Sequence, residues 1–280
     1  MAREDNVAVF EDTMRICRDD PGIVARIESS IKAQKLILEK DELLTPSLDK
    51  FAERAKVIVS KKRTLEAASA YREYKTVAHN FASASNPGGG VSSGANAQEE
   101  CLCRISGLYP CLDVKQMWDG FYGPHRATHD PIHNDDIIYT PDVPVFKSDT
   151  SSPVLLKESD RYSVDIITCA APNLRDVPSN HYNSGDGDKS VKVGDKELLD
   201  IHKKRLKRIL DVSVAQGAEV IILGAFGCGA FMNKPEIVAR AAKETIADYL
   251  NAFRMIEFAV YCSPRDDTNY RVFDRVLGKI

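Results

Sequence analysis

The chain has 280 residues, 43% of them hydrophobic, which fits one large domain or a domain with an extension and a proper core. Its net charge is −3, with 38 basic and 41 acidic residues mixed along the length, which argues against a nucleic-acid groove held by bulk electrostatics. No apolar run is long enough to span a bilayer, and the charged start MAREDNVAVFEDTMR does not read as a secretory signal.

Residues 1–54 read as a helical extension packed on the main domain. In GIVARIESSIKAQKLILEK, Ile23, Ile27, Ile31 and Lys35 share one helical row, and Pro46 punctuates the segment. From residue 55 the pattern changes. AKVIVS predicts a short buried strand, TLEAASAYREY a helix of strong helix formers, and KTVAHNFA a second strand. GANAQEECLCRIS can begin a helix. Cys101, Cys103 and Cys111 do not have a zinc spacing and read as packing thiols, in line with a reduced compartment for all seven cysteines. Trp118 in WDGFYG reads as a packed surface turn. HRATHDPIH spaces His125, His129 and His133 regularly, but Pro124 and Pro131 interrupt any helix. The reading is an exposed loop beside the cleft, with no metal.

VDIITCAAPNL predicts a strand ending at Pro172, and DVPSNHYNSGDGDKSVKVGD a polar, glycine-containing loop. KELLDIHKKRLKRILDVSVAQG reads as an amphipathic helix capped by Gly217, its HKKRLKRIL stretch a solvated face. AEVIIL is an apolar strand, KPEIVARAAKETIADYLN a helix with proline in its first turn, and MIEFAVYC a last strand. Strands alternate with helices, so the expected class is a layered α/β fold.

Two glycine loops follow strands. GAFGCGAFMNKP, residues 224–235, leaves backbone amides uncovered ahead of a helix N-terminus, a recurring way to hold phosphate. It lacks the Lys-Ser/Thr ending of a P-loop. NPGGGVSSGANAQEE, residues 86–100, adds a triple glycine and two adjacent glutamates. At strand ends of one sheet, the two loops together suit a diphosphate. Glu99 and Glu100 would start a helix, where the dipole favours negative charge. Their plain reading is helix-end stabilisation. Their chemical reading is that one orients hydroxyls and the other moves a proton, because a desolvated carboxyl beside a second one has its pKa pushed up. Cys228 reads as a small residue that lets amides reach phosphate, since no histidine is marked as its base.

GGGVSSGANAQEE resembles the signature of poly(ADP-ribose) glycohydrolases, whose catalytic domain is a macrodomain. NFASASNPGGG, YTPDVPVF, CAAPN and GAFGCGAFMNKP resemble the microbial-type members, in that order. The resemblance implies a macrodomain-like three-layer α/β/α fold with a mixed sheet over residues 55–280, preceded by the helical extension 1–54. It implies cleavage of ribose–ribose bonds in poly(ADP-ribose), from chain ends because no counterpart of the animal enzymes' tyrosine-bearing clasp is visible. The alternative is a macrodomain that binds ADP-ribose without cleaving it.

Carried over, Glu100 is the catalytic acid/base and Glu99 holds ribose hydroxyls. Asn86 bonds a hydroxyl of the terminal ribose, and Gly88, Gly89 and Gly90 pack against diphosphate and ribose. Gln98 completes the signature as a structural residue. Gly227, Cys228, Gly229 and Ala230 wrap the diphosphate, and Phe231 packs on the ribose. The implied partners are poly(ADP-ribose) or ADP-ribosylated proteins, with no cofactor, no membrane and no sequence-specific nucleic acid. The expectation is a monomer in the cytoplasm, or in the nucleus of a eukaryote.

Overall fold

The computed structural model describes residues 2–43, 46–180 and 184–280. Among them, seven strands form one sheet: β1 (Lys35–Ile37), β2 (Lys56–Ser60), β3 (Thr76–Ala82), β4 (Ile137–Val145), β5 (Tyr162–Ala170), β6 (Val220–Leu223) and β7 (Met255–Ala259). Their order is β1-β4-β5-β3-β6-β7-β2. β5, β3, β6, β7 and β2 run parallel, while β4 pairs antiparallel with both β5 and β1. The sheet is mixed, as expected.

Neighbouring strand residues face opposite layers, which is why these strands are apolar throughout. Val77, Ile137, Ile167 and Ile221 enter one core. Their neighbours Ala78, Ile138, Ile166 and Ile222 enter the other. The second core is covered by α1 (Arg3–Asp19), α3 (Thr64–Ala68), α4 (Gln98–Ile105), α5 (Leu108–Leu112) and α6 (Lys115–Met117). A single π-type turn, Trp118–Tyr122, leads from α6 into α7 (Gly123–Thr128). The first core is covered by α8 (Asp195–Ala215), α9 (Pro235–Ile246) and α10 (Thr268–Leu277). This is the three-layer α/β/α arrangement. Of the glycine-containing loop 176–195, residues 181–183 lie outside the described part.

The N-terminal segment differs from a purely helical extension. After α1, Asp20 caps α2 (Pro21–Ala33) by accepting from the amides of Gly22 and Ile23, with Pro21 at a position that needs no donor. The helix then stops at Ala33, and Lys35 leaves the helical row: it pairs with Tyr139, and Leu36 and Ile37 with Ile138 and Ile137, as β1. Tertiary pairing overrides helical periodicity here. α1 is tied down as well. Phe10 stacks edge-on against Tyr109, and the buried Lys147 ammonium reaches the Val9 carbonyl and the Asp12 carboxylate.

One strand escapes the sequence reading and one expectation needs correction. β4 does not read as a strand in the sequence because Pro141 and Pro144 lie within it. The strand absorbs Pro141 at a bulge between Thr140 and Val143, where Asp142 has φ 53°, and Pro144 pairs in register with Ser163 of β5. HRATHDPIH is not an exposed loop. Pro124 opens α7 rather than breaking it, and both His125 and His133 are buried. His125 packs edge-on against Phe121, and His133 Nδ1 lies 2.8 Å from the Ala171 carbonyl oxygen. Of the three histidines, only His129 is exposed.

Because Phe10 is part of the second core, Phe10→Ala is expected to destabilise the whole fold by ~3–5 kcal/mol in denaturant unfolding. A loss under about 1 kcal/mol would mean that α1 is a detachable appendage.

Candidate active site

A cleft of about 770 Å³ opens at the C-terminal ends of the parallel strands, where ligands sit in such sheets. It forms because β3 and β6 part company. β3 pairs with β6 only through Ala78, but stays paired with β5 through Ala82. Backbone groups of β3 beyond Ala78 therefore need other partners. Gln98 supplies them. Its side-chain Oε1 accepts from the Phe81 amide at 2.9 Å, and its Nε2 donates to the His79 carbonyl at 2.8 Å and to Thr64 Oγ1 at 3.0 Å. The side-chain amide takes the place of a strand and fixes the start of α4 against the end of β3.

Glu99 and Glu100 follow in the first turn of α4, and both are buried. Glu99 is held on all sides. Its Oε1 accepts from Asn80 Nδ2 at 3.1 Å and its Oε2 from the Ser83 amide at 2.8 Å, and the Gly88 amide also bonds it. Asn80 is itself bonded to Thr168 of β5 at 3.2 Å. Burial pushes the Glu99 carboxyl up to about 8; the Ser83 amide pulls it down, and the neighbouring Glu100 pushes it further up. Glu100 is held on one side only. Oε1 accepts from the Gly90 amide at 3.0 Å, while Oε2 is buried without a hydrogen-bond partner among the described residues.

The glycine turn is what lets both carboxylates approach. At Gly89, with φ 58°, a Cβ would lie 2.6 Å from Glu100 Oε1 and 3.3 Å from Glu99 Oε2. Both carboxylates thus converge on one point that only glycine leaves open.

The second loop, residues 224–231, faces the first across the cleft. Its internal hydrogen bonds use the amides of Phe226, Cys228, Met232 and Asn233. The amides of Gly227, Gly229, Ala230 and Phe231 have no protein acceptor among the described residues. A Cβ on Gly229 would meet no atom within 4 Å, so packing does not demand glycine there. Asn233 holds this loop in shape. Buried at the start of α9, it donates to the carbonyls of Pro172, Gly227 and Phe231, and its Oδ1 lies 2.8 Å from His202 Nε2. Phe231 is flanked by the Arg175 guanidinium and the His133 ring.

Of the residues singled out from the sequence, Gly89, Gly90, Gln98, Glu99, Glu100, Gly227, Gly229, Ala230 and Phe231 line this one cleft. Gly88 lies just beneath it, against the Tyr109 ring. Cys228 is half-buried and packs against the first core, its thiol pKa raised by desolvation, unsuited to act as a nucleophile. Asn86 is engaged by protein groups. Its amide donates to Ser85 Oγ and the Ser184 carbonyl, and its oxygen accepts from Arg126.

Sequence reasoning missed Asn80, Ser83 and Asn233, which hold the site's shape. It also missed the far wall at the β7–β2 edge, where Arg63 lies 4.0 Å over the ring of Tyr261. A polar Asn inside the apolar run KTVAHNFA was the available signal for Asn80.

Since Gly89 carries both the positive φ and the close approach, Gly89→Ala should displace Glu100. The expected result is a chain that still folds but loses at least ~10-fold in kcat. Unchanged kcat would show that this approach is not needed.

Known proteins share this fold. The family model for the microbial-type PARG (poly(ADP-ribose) glycohydrolase) catalytic domain matches residues 11–148, which include the first glycine loop and the glutamate pair. Comparison with curated protein sequences gives no match. Among solved structures, poly(ADP-ribose) glycohydrolase from Thermomonospora curvata superposes with a TM-score of 0.82 at 28% identity, covering 98% of this chain and 100% of that one. The same enzyme bound to the inhibitor ADP-HPD gives 0.78 at 29% identity, over 97% and 99%. The Deinococcus radiodurans enzyme in complex with ADP-ribose gives 0.74 at 31% identity, over 91% and 98%. Likeness at this identity over nearly the whole of both chains places the present chain in the microbial-type poly(ADP-ribose) glycohydrolase family.

Proposed function

We propose that the chain hydrolyses the ribose–ribose O-glycosidic bonds of poly(ADP-ribose), with Glu100 as the acid/base. The observation that carries the assignment is the contrast within the glutamate pair. Glu99 has both oxygens bonded by the protein, whereas Glu100 keeps one buried oxygen with no partner among the described residues, in the wall of the cleft.

The four open amides of the second loop would receive the diphosphate, with Phe231 packed on the terminal ribose. Ribose hydroxyls would donate to Glu99. Such bonds favour its charged form. Glu100 donates a proton to the departing ribose oxygen as the C1–O bond breaks through an oxocarbenium-like state. Water adds to the anomeric carbon and gives a proton back to the Glu100 carboxylate. The atoms balance as one water consumed and one ADP-ribose released from the polymer. Because Glu99 and Glu100 sit side by side on one helix, they do not flank the bond as an opposed pair would. Cleavage from chain ends is supported by the sequence, which carries no counterpart of the animal enzymes' clasp.

Glu100→Gln keeps the size of the side chain and removes its proton transfer. It should lower release of ADP-ribose from labelled polymer by ~10²–10⁴-fold while the variant still binds ADP-ribose in calorimetry. Turnover at the wild-type rate would overturn the assignment of the acid. A wild-type chain that binds ADP-ribose and releases none from polymer would instead be a binding module.

A further inference from the structure

Residues 94–97 join the glycine turn to α4 and line the cleft, yet they belong to no strand or helix. Short segments with few bonds of their own open at little cost, and the two glutamates follow directly on this one. What steadies it comes from an unexpected place. Arg104, at the far end of α4, is 1% exposed. Its guanidinium turns back along the helix: Nη1 donates to the Ala95 carbonyl at 2.6 Å, and Nη2 to Asn96 Oδ1 at 2.6 Å and to Cys101 Sγ at 3.3 Å. Among the described residues Arg104 forms no ion pair. A buried cation without a counter-ion is costly to keep where an apolar side chain would pack. Its bonds go to the segment in front of the acid, and that is where its value lies.

α1 braces the same segment from outside. Thr13 donates its hydroxyl to the Arg104 carbonyl, and Asn6 Nδ2 donates to the Gly94 carbonyl at 3.0 Å. The backbone of Arg3 lies so close that a Cβ on Gly94 would come within 2.4 Å of its carbonyl oxygen, and Arg3 lines the cleft.

We propose that Arg104 is a positioning residue for Glu100. It ties residues 94–97 to α4, so that loop and glutamates move as one rigid piece, with the first turns of α1 as the outer brace. The N-terminal helix is then part of the catalytic apparatus and not only a source of stability. The inference rests on the glycohydrolase reading. Displacing a reacting group by about 1 Å can lower the rate ~10²-fold even when binding persists.

The test is steady-state turnover of poly(ADP-ribose) by the wild type, Arg104→Ala, Arg104→Lys and Asn6→Ala, with ADP-ribose binding and melting temperature measured on each. Ile246→Ala, in the opposite layer, serves as a destabilised control. Arg104→Ala is expected to lose ~10²-fold in kcat with KM and ADP-ribose affinity within about 3-fold of wild type. Added guanidinium ion should restore part of that rate, and Arg104→Lys should fall between the two. Asn6→Ala, which keeps the buried arginine and so the fold, should lose ~3–10-fold in kcat. The control should melt earlier and keep its kcat. A folded Arg104→Ala with wild-type kcat, or losses in kcat and affinity that simply track melting temperature as in the control, would overturn the proposal. Wild-type activity in the same assay shows that such a result sinks this inference alone; a wild type without activity on polymer would sink the functional reading as well.

Discussion

The site depends on one gap in the sheet. β3 outlasts its pairing with β6 by several residues, and exposed backbone groups inside a protein must find partners. Gln98 satisfies the Phe81 amide and the His79 carbonyl with a side-chain amide that has both a donor and an acceptor at the right spacing. A strand there would have closed the cleft. A glutamate there would lack the donor. The choice of Gln at this position therefore opens the cleft and also sets where the next two residues, the glutamates, must lie.

From that anchor the two carboxylates acquire different characters through their surroundings. Glu99 is packed among Asn80, Ser83 and Gly88, and reaches β5 through Thr168. It is a fixed acceptor, suited to hydroxyl groups and poor at moving. Glu100 accepts from the Gly90 amide and, among the described residues, keeps its other oxygen buried without a partner. The opposing loop is shaped by Asn233, which bonds three carbonyls, while the intervening amides have no protein acceptor among the described residues. Both sides thus use backbone held rigid from behind, which is how charge that develops in a reaction is stabilised without reorganisation.

Much of this was legible in the chain. The five parallel strands are short, largely apolar runs bounded by turns, and the glycine loops with QEE carry their chemistry in consecutive residues. What stayed hidden was non-local. β1 is a helical-looking segment recruited by Ile137 and Ile138, and β4 is disguised by two prolines, the first of which a bulge accommodates. His125 and His133 look solvated beside Pro, Asp and Asn, but the fold buries them. Asn80 and Asn233 hold the site's shape by reaching far along the chain, to Thr168 and to Pro172, and no local spacing announces such bonds. The division at residue 54 also reads differently in three dimensions, because β1 belongs to the sheet and α1 touches the cleft.

The most direct measurement of the central claim is a crystal structure of the Glu100→Gln variant with ADP-ribose bound. The account requires the diphosphate on the amides of residues 227–231 and the anomeric oxygen of the terminal ribose within hydrogen-bond reach, about 3 Å, of the residue 100 side chain. A nucleotide seated elsewhere, or a residue 100 side chain turned away from the sugar, would contradict it.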